Sequence, residues 1–295
     1  MNISVDQNCV HCALCLEICP AGLFDFPLVG EGMDLPAVKH PEACIQCGHC
    51  VCACPAEAII HSEFGPDRII PIKERSSSAY QDLLAMGQAR RSIRRFRSEK
   101  VSREQLEKII RYAELAPTAC NSRRVFWTAA SDPEILRGVW QETALTLKKA
   151  ANLLGSPVGF LAAKLFPNSE AGRNYKRLPF IRSVAEKAMK KDLILHEAPN
   201  ILIAHYDVKD GKFAEMDAHL ALQNAVNAAE ALGLGAFYLG FVQRAAPKNP
   251  MIAKILKIPK GHRIAGGLAL GIPDIQYRFA PVRDYPEPVF LDAET

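Results

Sequence analysis

Residues 9–20 read CVHCALCLEICP, and residues 44–55 read CIQCGHCVCACP. In both stretches four cysteines follow the spacing C-x2-C-x2-C-x3-C, and a proline comes directly after the fourth cysteine. Thiols repeated at such intervals indicate a segment organised around metal ligands, because so short a segment can bury little apolar surface of its own.

This spacing is that of bacterial iron–sulfur segments, in which the fourth cysteine of each run ligates the other cluster. It predicts two 4Fe–4S clusters with crossed ligands, so that the chain moves electrons one at a time. The first ligand set is Cys9, Cys12, Cys15 and Cys54, and the second is Cys44, Cys47, Cys50 and Cys19.

Disulfides and zinc are the competing interpretations of these cysteines. A disulfide scaffold suits a short secreted chain, whereas this chain has 295 residues and residues 1–9 hold no apolar stretch of the kind a secretory signal needs. Zinc sites use four ligands, often as paired C-x2-C, and do not require the third and fourth cysteines seen twice here. Of the two remaining cysteines, Cys52 is predicted to be a small packed residue.

The motifs resemble those of two-cluster bacterial ferredoxins over residues 1–65. Residues 66–78 are predicted to be a linker, because Gly65-Pro66 interrupts regular structure and the run Ser76 to Ser78 is polar. The second domain is then expected to cover residues 79–295. No apolar run approaches the ~20 residues of a membrane span, and the free thiols indicate a cytoplasmic protein.

Charge is divided unevenly between the two parts. Residues 1–65 carry eight acidic side chains and one basic one, and the rest of the chain carries 24 acidic and 35 basic ones. The division is consistent with electrostatic docking of an acidic domain on a basic one, or simply with a solvated acidic surface. The basic residues form no recognisable nucleic-acid module, so nucleic acid is not expected as a partner.

Apolar periodicity predicts a mixture of helices and strands in residues 79–295, which favours an α+β domain. One helix is expected to begin near Ala79 with Ser78 as its cap, and another follows the capping box Ser102-x-x-Gln105. Further helices are predicted at 133–154, in parts of 156–191, at 216–232 and at 249–257. Strands are predicted at 125–130, 200–206, 236–241 and 264–272.

Five segments in this order resemble the FMN-dependent nitroreductase family over about residues 80–290. They are RRSIR at 90–94, APTACNS at 116–122, the helix containing Asp217, Gln223, Asn224 and Asn227 before LGLG at 232–235, LGIP at 270–273 and PVR at 281–283. The resemblance implies a homodimer with FMN at the subunit interface and a mainly antiparallel sheet flanked by helices.

The resemblance also assigns roles to particular residues. Arg90, Arg91, Ser92 and Arg94 match the segment that holds the FMN phosphate and ring edge, with Arg94 as the cation that stabilises the reduced flavin. Pro117, Thr118 and Asn121 match the loop that lines the flavin across the dimer interface. Tyr238, Leu239 and Gly240 match the backbone beside flavin N5, and Arg283, with Arg278 as a weaker candidate, matches the C-terminal phosphate contact.

Simpler interpretations stand beside these roles. Asn224 and Asn227 are as compatible with hydrogen bonds inside their helix, and Gly233 and Gly235 with ending it. Arg123 and Arg124 follow the loop where the family often has Gln-Pro, which puts the usual substrate pocket in doubt. Cys120 is predicted to be a packed thiol, with a position near the substrate as the weaker alternative.

An insertion at about 137–191 carries eleven basic and three acidic residues around an apolar stretch, Val158 to Ala163. It is interpreted as an arm that contacts the dimer partner or the acidic domain, or else as a lid that favours an anionic or aromatic substrate.

The sequence therefore predicts an oxidoreductase in which two clusters feed FMN, which reduces a small organic acceptor. Compatible acceptors are nitroaromatics, quinones, activated alkenes and halogenated aromatics, and a protein can serve as the electron donor. No side chain is assigned an acid–base role. The alternative is a non-enzymatic relay or sensor that passes electrons to a protein partner, and flavin breakdown or dehalogenation is a weaker third possibility.

Overall fold

The computed structural model describes residues 1–26, 34–284 and 286–291. The chain divides into two compact units. The first, called the cysteine-rich unit, comprises Met1–Ser77 and Thr118–Arg123. The second, called the sheet unit, comprises Ser78–Pro117 and Arg124–Thr295. The short segment Thr118–Arg123 thus belongs to the cysteine-rich unit, although the domain prediction assigned it to the second domain.

The cysteine-rich unit is built from two small antiparallel ribbons and two one-turn helices. Strand β1 pairs with β4, and β2 pairs with β3. The elements in chain order are β1 (Ile3–Val5), α1 (Leu14–Ile18), β2 (Phe24–Asp25), β3 (Ala37–Val38), α2 (His49–Ala53) and β4 (Ile59–His61).

The two halves of this unit repeat each other at an interval of 35 positions, as Cys9 and Cys44 or the helix starts Leu14 and His49 show. The residue before each helix has a left-handed backbone, with φ of 61° at Ala13 and 74° at Gly48. Such a φ is unusual outside glycine. The repeated cysteine spacing therefore corresponds to a repeated backbone turn.

The sheet unit holds one four-stranded antiparallel sheet in the order β5-β6-β8-β7. Its strands are β5 (Phe126–Ala130), β6 (Asn200–Asp207), β7 (Gly235–Tyr238) and β8 (His262–Gly271). Its helices are α3 (Ala79–Ala89), α4 (Arg103–Ala113), α5 (Pro133–Leu154), α6 (Pro157–Leu165), α7 (Glu170–Tyr175), α8 (Leu178–Ala188), α9 (Phe213–Ala231), α10 (Gly240–Ala245) and α11 (Pro250–Ile255). The predicted α+β class with an antiparallel sheet is confirmed.

Two apolar cores lie on the two faces of this sheet because side chains alternate along a strand. Leu202 and Leu268 pack with α4 and α9, whereas the neighbouring Ile201, Ile203 and Ala269 pack with α5, α10 and α11. All five of these side chains are fully buried. Full burial of a leucine or isoleucine contributes about 1.5–3 kcal/mol, so the sheet unit rests mainly on apolar packing.

Several predicted elements agree with the structure and two differ in detail. The capping box of Ser102 and Gln105 is present, and α5 spans the predicted residues 133–154. Ser78 precedes α3, but its hydroxyl donates to Asp82 instead of capping a backbone N–H. The strand predicted at 236–241 is wrong beyond Tyr238: the Leu239 N–H still donates to the Gly267 oxygen (2.8 Å) in register with β8, but Leu239 has ψ of 56° and Gly240 begins α10.

The part of the chain that the structure describes contains no helix long and apolar enough to cross a membrane.

Candidate functional site

Cysteines from both motifs line one cavity in the cysteine-rich unit. Cys19 of the first motif lies beside Cys44, Cys47 and Cys50 of the second, and His61 completes one wall. This grouping is the predicted second ligand set, with its fourth cysteine taken from the other motif. None of the ten cysteines is in a disulfide.

The thiols in this cavity are close enough to influence one another electrostatically. Burial raises the pKa of the Cys50 thiol to about 11, and the neighbouring Cys19, Cys47 and Cys44 add to the increase. Burial likewise raises the pKa of Cys15, with contributions from Cys9 and Cys12. Thiolates that repel one another in a partly buried site are stabilised when a positively charged group binds them.

Within the described residues, no three His, Cys, Asp or Glu side chains are arranged to hold a single metal ion. The four cysteines line one cavity, as the ligands of a cluster of several iron atoms are expected to do. Cys9, Cys12 and Cys15 are mutual neighbours in the other half. The repeat is in line with the prediction that Cys54 is the fourth member of this set.

Backbone and side-chain N–H groups point at the cysteine sulfurs. The Leu23 N–H donates to Cys19 Sγ (3.4 Å), and the Ala58 N–H donates to Cys54 Sγ (3.3 Å), at equivalent positions of the repeat. Cys44 Sγ accepts from the Gln46 N–H (3.4 Å) and lies 3.5 Å from His61 Nε2. Hydrogen bonds of this kind stabilise thiolate charge and tune iron–sulfur clusters.

The two cysteines outside the ligand sets are exposed, so the prediction that they are packed thiols is wrong. Cys52 lies two positions after Cys50 in α2, and residues two apart face different sides of a helix. Cys120 lies in the loop of residues 118–123, where its backbone is left-handed with φ of 50°.

This loop is held by polar contacts inside the cysteine-rich unit. The side-chain amide of Asn121 donates to the carbonyl oxygens of Ile45 (3.2 Å) and Gln46 (2.7 Å), which lie between Cys44 and Cys47. The Arg123 Nε donates to Asn121 Oδ1 (3.3 Å), and the Arg123 N–H donates to Thr118 Oγ1 (3.1 Å). Asn121 and Thr118, both predicted to line a flavin, are therefore engaged with the second cysteine motif and with their own loop.

Backbone geometry sets this loop apart as well. Cys120, Asn121 and Arg123 all have φ near 50°, in the left-handed region that non-glycine residues seldom occupy. Such residues persist only where surrounding contacts determine them, and they gather at functional sites. Here the hydrogen bonds of Asn121 and Arg123 hold the loop in this conformation.

In the sheet unit, the segment of residues 90–93 runs beside β7. Ser92 forms a parallel bridge with Ala236, and the Ile93 N–H donates to the Ala236 oxygen (3.1 Å). Ile93 approaches Gly235 so closely that a Cβ there would lie 2.8 Å from Ile93 Cγ2. Gly235 is thus needed for this contact, whereas Gly233, with φ of 71°, turns the chain after α9.

Polar side chains gather where this segment, β7 and α9 meet. The Tyr238 hydroxyl donates to Gln223 Oε1 (3.2 Å), and the Gln223 amide donates to Asn227 Oδ1 (3.0 Å). Burial raises the pKa of Tyr238 and of Glu230, and in both cases Arg90 opposes the increase. Sequence reasoning did not select Gln223 and Glu230 as site residues, although they share one face of α9 with Asn227.

Arg91 and Arg94 make different contacts. Arg91 lies near Glu230, and its guanidinium donates to the Arg90 carbonyl oxygen (2.6 Å). The Arg94 guanidinium lies over the Phe237 ring at 5.4 Å. Among the described contacts, Arg94 is therefore not joined to the group of Arg90, Tyr238 and Gln223.

The remaining predicted residues are spread more widely. Of the three backbone positions assigned to flavin N5, Leu239 has its N–H committed to Gly267, whereas Gly240 is exposed at the start of α10. Pro117 is exposed, as are Arg278 and Arg283 in the segment after β8. Arg124 pairs with Asp210.

The helices of the predicted insertion enclose a cavity of about 840 Å³ together with α5 and α10. Its walls are largely apolar, including Leu154, Val158, Phe180 and Phe241. Arg177, Arg244 and Lys248 also line it, and Arg244 pairs with Glu170. The first turns of α5 belong to the core, since Val139 and Ala144 are fully buried.

Comparison with known proteins matches both parts of the chain. The model of the nitroreductase family matches residues 88–272, and the model of the 4Fe-4S dicluster domain matches residues 8–59. An FMN reductase (NAD(P)H) of Bacillus subtilis is 28% identical over 183 residues, which is 62% of this chain and 62% of that protein. The match thus covers less than two thirds of that relative's length.

Two further relatives cover one part each. A protein named ferredoxin 7Fe from Hydrogenibacillus schlegelii is 38% identical over 55 residues, 19% of this chain and 63% of that protein. A nitroreductase of Desulfitobacterium hafniense, solved with bound FMN, superposes with a TM-score of 0.53 at 19% identity, covering 72% of this chain and 98% of that one. At this identity the superposition establishes a shared fold.

Proposed function

The chain belongs to the nitroreductase family and carries a 4Fe-4S dicluster domain, so it is an oxidoreductase, and we propose that it passes electrons from two 4Fe–4S clusters to FMN and on to an organic acceptor. One observation carries this proposal. The loop that resembles the flavin-lining loop of the family is hydrogen-bonded, through Asn121, to the carbonyls of Ile45 and Gln46 between two cluster cysteines. A connection of this kind is expected of a chain whose clusters supply its flavin.

The grouping of Arg90, Tyr238 and Gln223 supports FMN binding in the sheet unit. Arg90 and Arg91 supply positive charge for a phosphate, and the amide of Gln223 supplies both a donor and an acceptor for a polar ring edge. Gly240 leaves open space beside the backbone, since a Cβ there would meet no atom within 4 Å. FMN, when bound, exchanges one electron at a time with clusters and two with an organic acceptor.

Exposed apolar side chains support assembly into a homodimer with FMN at the interface. Tyr80 and Leu83 of α3 are 70% and 61% exposed, and Phe213 and Met216 of α9 are 59% and 60% exposed. Large apolar side chains left exposed on α3 and α9 favour surfaces that another chain covers. We expect the flavin residues of one subunit to be completed by the other.

The cavity beside α10 supports an aromatic or anionic acceptor. Its apolar walls can pack against a bound ring, and Arg177 and Lys248 favour a negative charge, whereas Arg244 is paired with Glu170 on the same wall. Nitroaromatics, quinones, activated alkenes and halogenated aromatics are the acceptor classes that fit. A proton from solvent completes the reduction, so no side chain needs to act as an acid.

The test begins with anaerobic purification and measurement of iron, sulfide and flavin. A reductant that delivers single electrons should reduce the flavin in the wild type and in Cys52→Ser, which lies outside the ligand sets. Cys12→Ser and Cys47→Ser should lose this internal transfer while still binding FMN. Unchanged transfer in both ligand variants would contradict the proposed route.

Turnover separates the enzyme from a relay or sensor. We expect reoxidation of the reduced flavin by a nitroaromatic or a quinone over many cycles. Flavin reduction without turnover of any of the four acceptor classes would favour the relay, and a protein that holds its clusters without FMN would refute the flavin site.

A further inference from the structure

The two halves of the cysteine-rich unit carry different residues at an equivalent position beside the cluster ligands. His61 stands seven residues after the fourth cysteine of the second motif, and Phe26 stands seven residues after that of the first. The Phe26 side chain has no N–H, and its ring stacks on His11 at 6.3 Å. The histidine ring reaches a cluster cysteine instead.

The position and tautomer of His61 are determined by its surroundings. The residue is 5% exposed, pairs with Ile3 in the β1–β4 ribbon and lies against the Phe64 ring at 5.0 Å. Its Nδ1 accepts the Glu63 N–H (3.0 Å), so the ring proton of the neutral imidazole lies on Nε2. Nε2 is 3.5 Å from Cys44 Sγ and therefore donates to it.

An N–H donor at a ligating sulfur changes the reduction potential of a cluster. Reduction adds one electron and no proton, so negative charge on the cluster and its thiolates increases. A hydrogen bond to a charged group stabilises the more negative state more strongly and raises the potential. The backbone donors at Leu23 and Ala58 are equivalent in the two halves, so they do not separate the clusters.

We propose that His61 makes the cluster held by Cys19, Cys44, Cys47 and Cys50 the more easily reduced of the two, through its hydrogen bond to Cys44. The inference rests on the proposed function only in requiring that both clusters bind. An electron that enters either cluster then resides mainly on the second one. Asn121 contacts Ile45 and Gln46 beside that same cluster, so the electron collects where the flavin-like loop is attached.

The test is an EPR-monitored redox titration of the anaerobic holoprotein, in the wild type and in His61→Phe, which places at residue 61 the side chain found at residue 26. We expect one of the two reduction potentials to fall by about 59 mV, which is a tenfold change in the one-electron equilibrium constant. The other potential should stay unchanged. His61→Gln keeps a side-chain N–H donor and should retain most of the wild-type separation. His40→Phe removes an exposed histidine of the same unit and should change neither potential.

Measurement of the iron content distinguishes the loss of a cluster from a change in its reduction potential. If His61→Phe holds its full complement of about eight iron atoms with both potentials unchanged, the inference is overturned. If that variant loses iron, pulsed EPR on wild-type protein labelled with 15N-histidine decides. A histidine nitrogen coupled to one reduced cluster supports the inference, and no such coupling refutes it. Absence of FMN, with two clusters of separate potentials, would refute the proposed function and leave this inference intact.

Discussion

The cysteine-rich unit buries four apolar side chains in the core of its described residues, whereas the sheet unit buries two large apolar clusters on opposite faces of a sheet. Five ligand cysteines pack directly against the smaller core, so its metal ligands and its apolar residues are parts of one structure. Units this small seldom fold on apolar burial alone. We therefore expect the clusters to stabilise the cysteine-rich unit, whereas apolar packing stabilises the sheet unit.

Removing a cluster should have the largest effect and should be confined to one unit. Cys47→Ser removes a predicted ligand of the second cluster, and because the predicted ligation is crossed we expect the segment Met1–Ser77 of the cysteine-rich unit to become protease-sensitive. The measurement is limited proteolysis with mass spectrometry, together with visible absorbance of the clusters. Cys52→Ser serves as the control. If the cysteine-rich unit resists proteolysis without iron, its fold does not depend on the clusters, and the expected difference between the two units is contradicted.

Truncating a core side chain of the sheet should destabilise the sheet unit and leave the cysteine-rich unit intact. Leu268→Ala removes a fully buried leucine of β8 and should lower the free energy of unfolding of the sheet unit by about 2–5 kcal/mol. Denaturant unfolding followed by far-UV circular dichroism measures this, and cluster absorbance should remain at the wild-type level in buffer. Leu115→Ala, at a side chain 73% exposed, should cost far less. Similar losses in both variants would contradict the assignment of the core.

A substitution at Gly235 tests the packing of the flavin-like segment. The Cβ of Gly235→Ala would lie 2.8 Å from Ile93 and should cost about 1–3 kcal/mol by overpacking. Because Ile93 follows Arg90 and Ser92, bound FMN should also decrease, as measured by flavin fluorescence after denaturation. Gly87→Ala, where a Cβ meets no atom within 4 Å, is the matched control. Wild-type stability and flavin content in Gly235→Ala would show that the close approach is unimportant.

The smallest effect concerns a buried histidine of the sheet unit. Burial, together with the nearby His262, lowers the pKa of His205 to about 4. Its Nδ1 lies 2.9 Å from His262 Nδ1, its Nε2 lies 3.2 Å from Thr128 Oγ1, and Phe126 stacks on its ring. A histidine has an ordinary pKa near 6.5, so between pH 6.5 and 4 the unfolded chain binds the proton that the folded one excludes.

Stability from the neutral His205 is therefore complete above pH 6.5 and is lost as the pH falls toward 4. We expect about 1 kcal/mol less stability at pH 5.5 than at pH 7.5 from this group. His205→Gln should remove that slope, whereas His219→Gln, an exposed control, should keep it. The measurement is the free energy of unfolding by denaturant at both pH values. An unaltered slope in His205→Gln would assign the pH dependence to another group.

Much of the fold could be predicted wherever the signal is local. The capping box at Ser102 and Gln105 and the bounds of α5 follow from neighbouring residues, since helix hydrogen bonds join residues four apart. The strand predicted through residue 241 ends at Tyr238 because the backbone leaves the extended conformation at Leu239, where ψ is 56°, and Gly240 begins α10. The apolar run from Ala236 to Phe241 continues through this change, so the local pattern does not mark it.

In the candidate site, likewise, some residues could be recognised from a local pattern, whereas their contacts depend on the tertiary structure. RRS at residues 90–92 was recognised from its pattern, but its place beside β7 depends on the approach of Ile93 to Gly235. Gln223 was quoted as part of the family motif but was given no role, and Glu230 was not singled out. They matter here because Tyr238 and Arg90 lie against the face of α9 that they share.

The sequence by itself determined the cofactor chemistry of the first 65 residues and predicted the crossed ligand sets, because cluster ligation depends on thiols at short, regular intervals. Only the tertiary structure decided which N–H group reaches which sulfur and which loop contacts the second motif. His61 reaches Cys44, and Asn121 reaches Ile45 and Gln46, through chain segments far apart in the sequence. Hydrogen bonds act over about 3 Å, so partners distant along the chain are set by the folded backbone and by no local pattern.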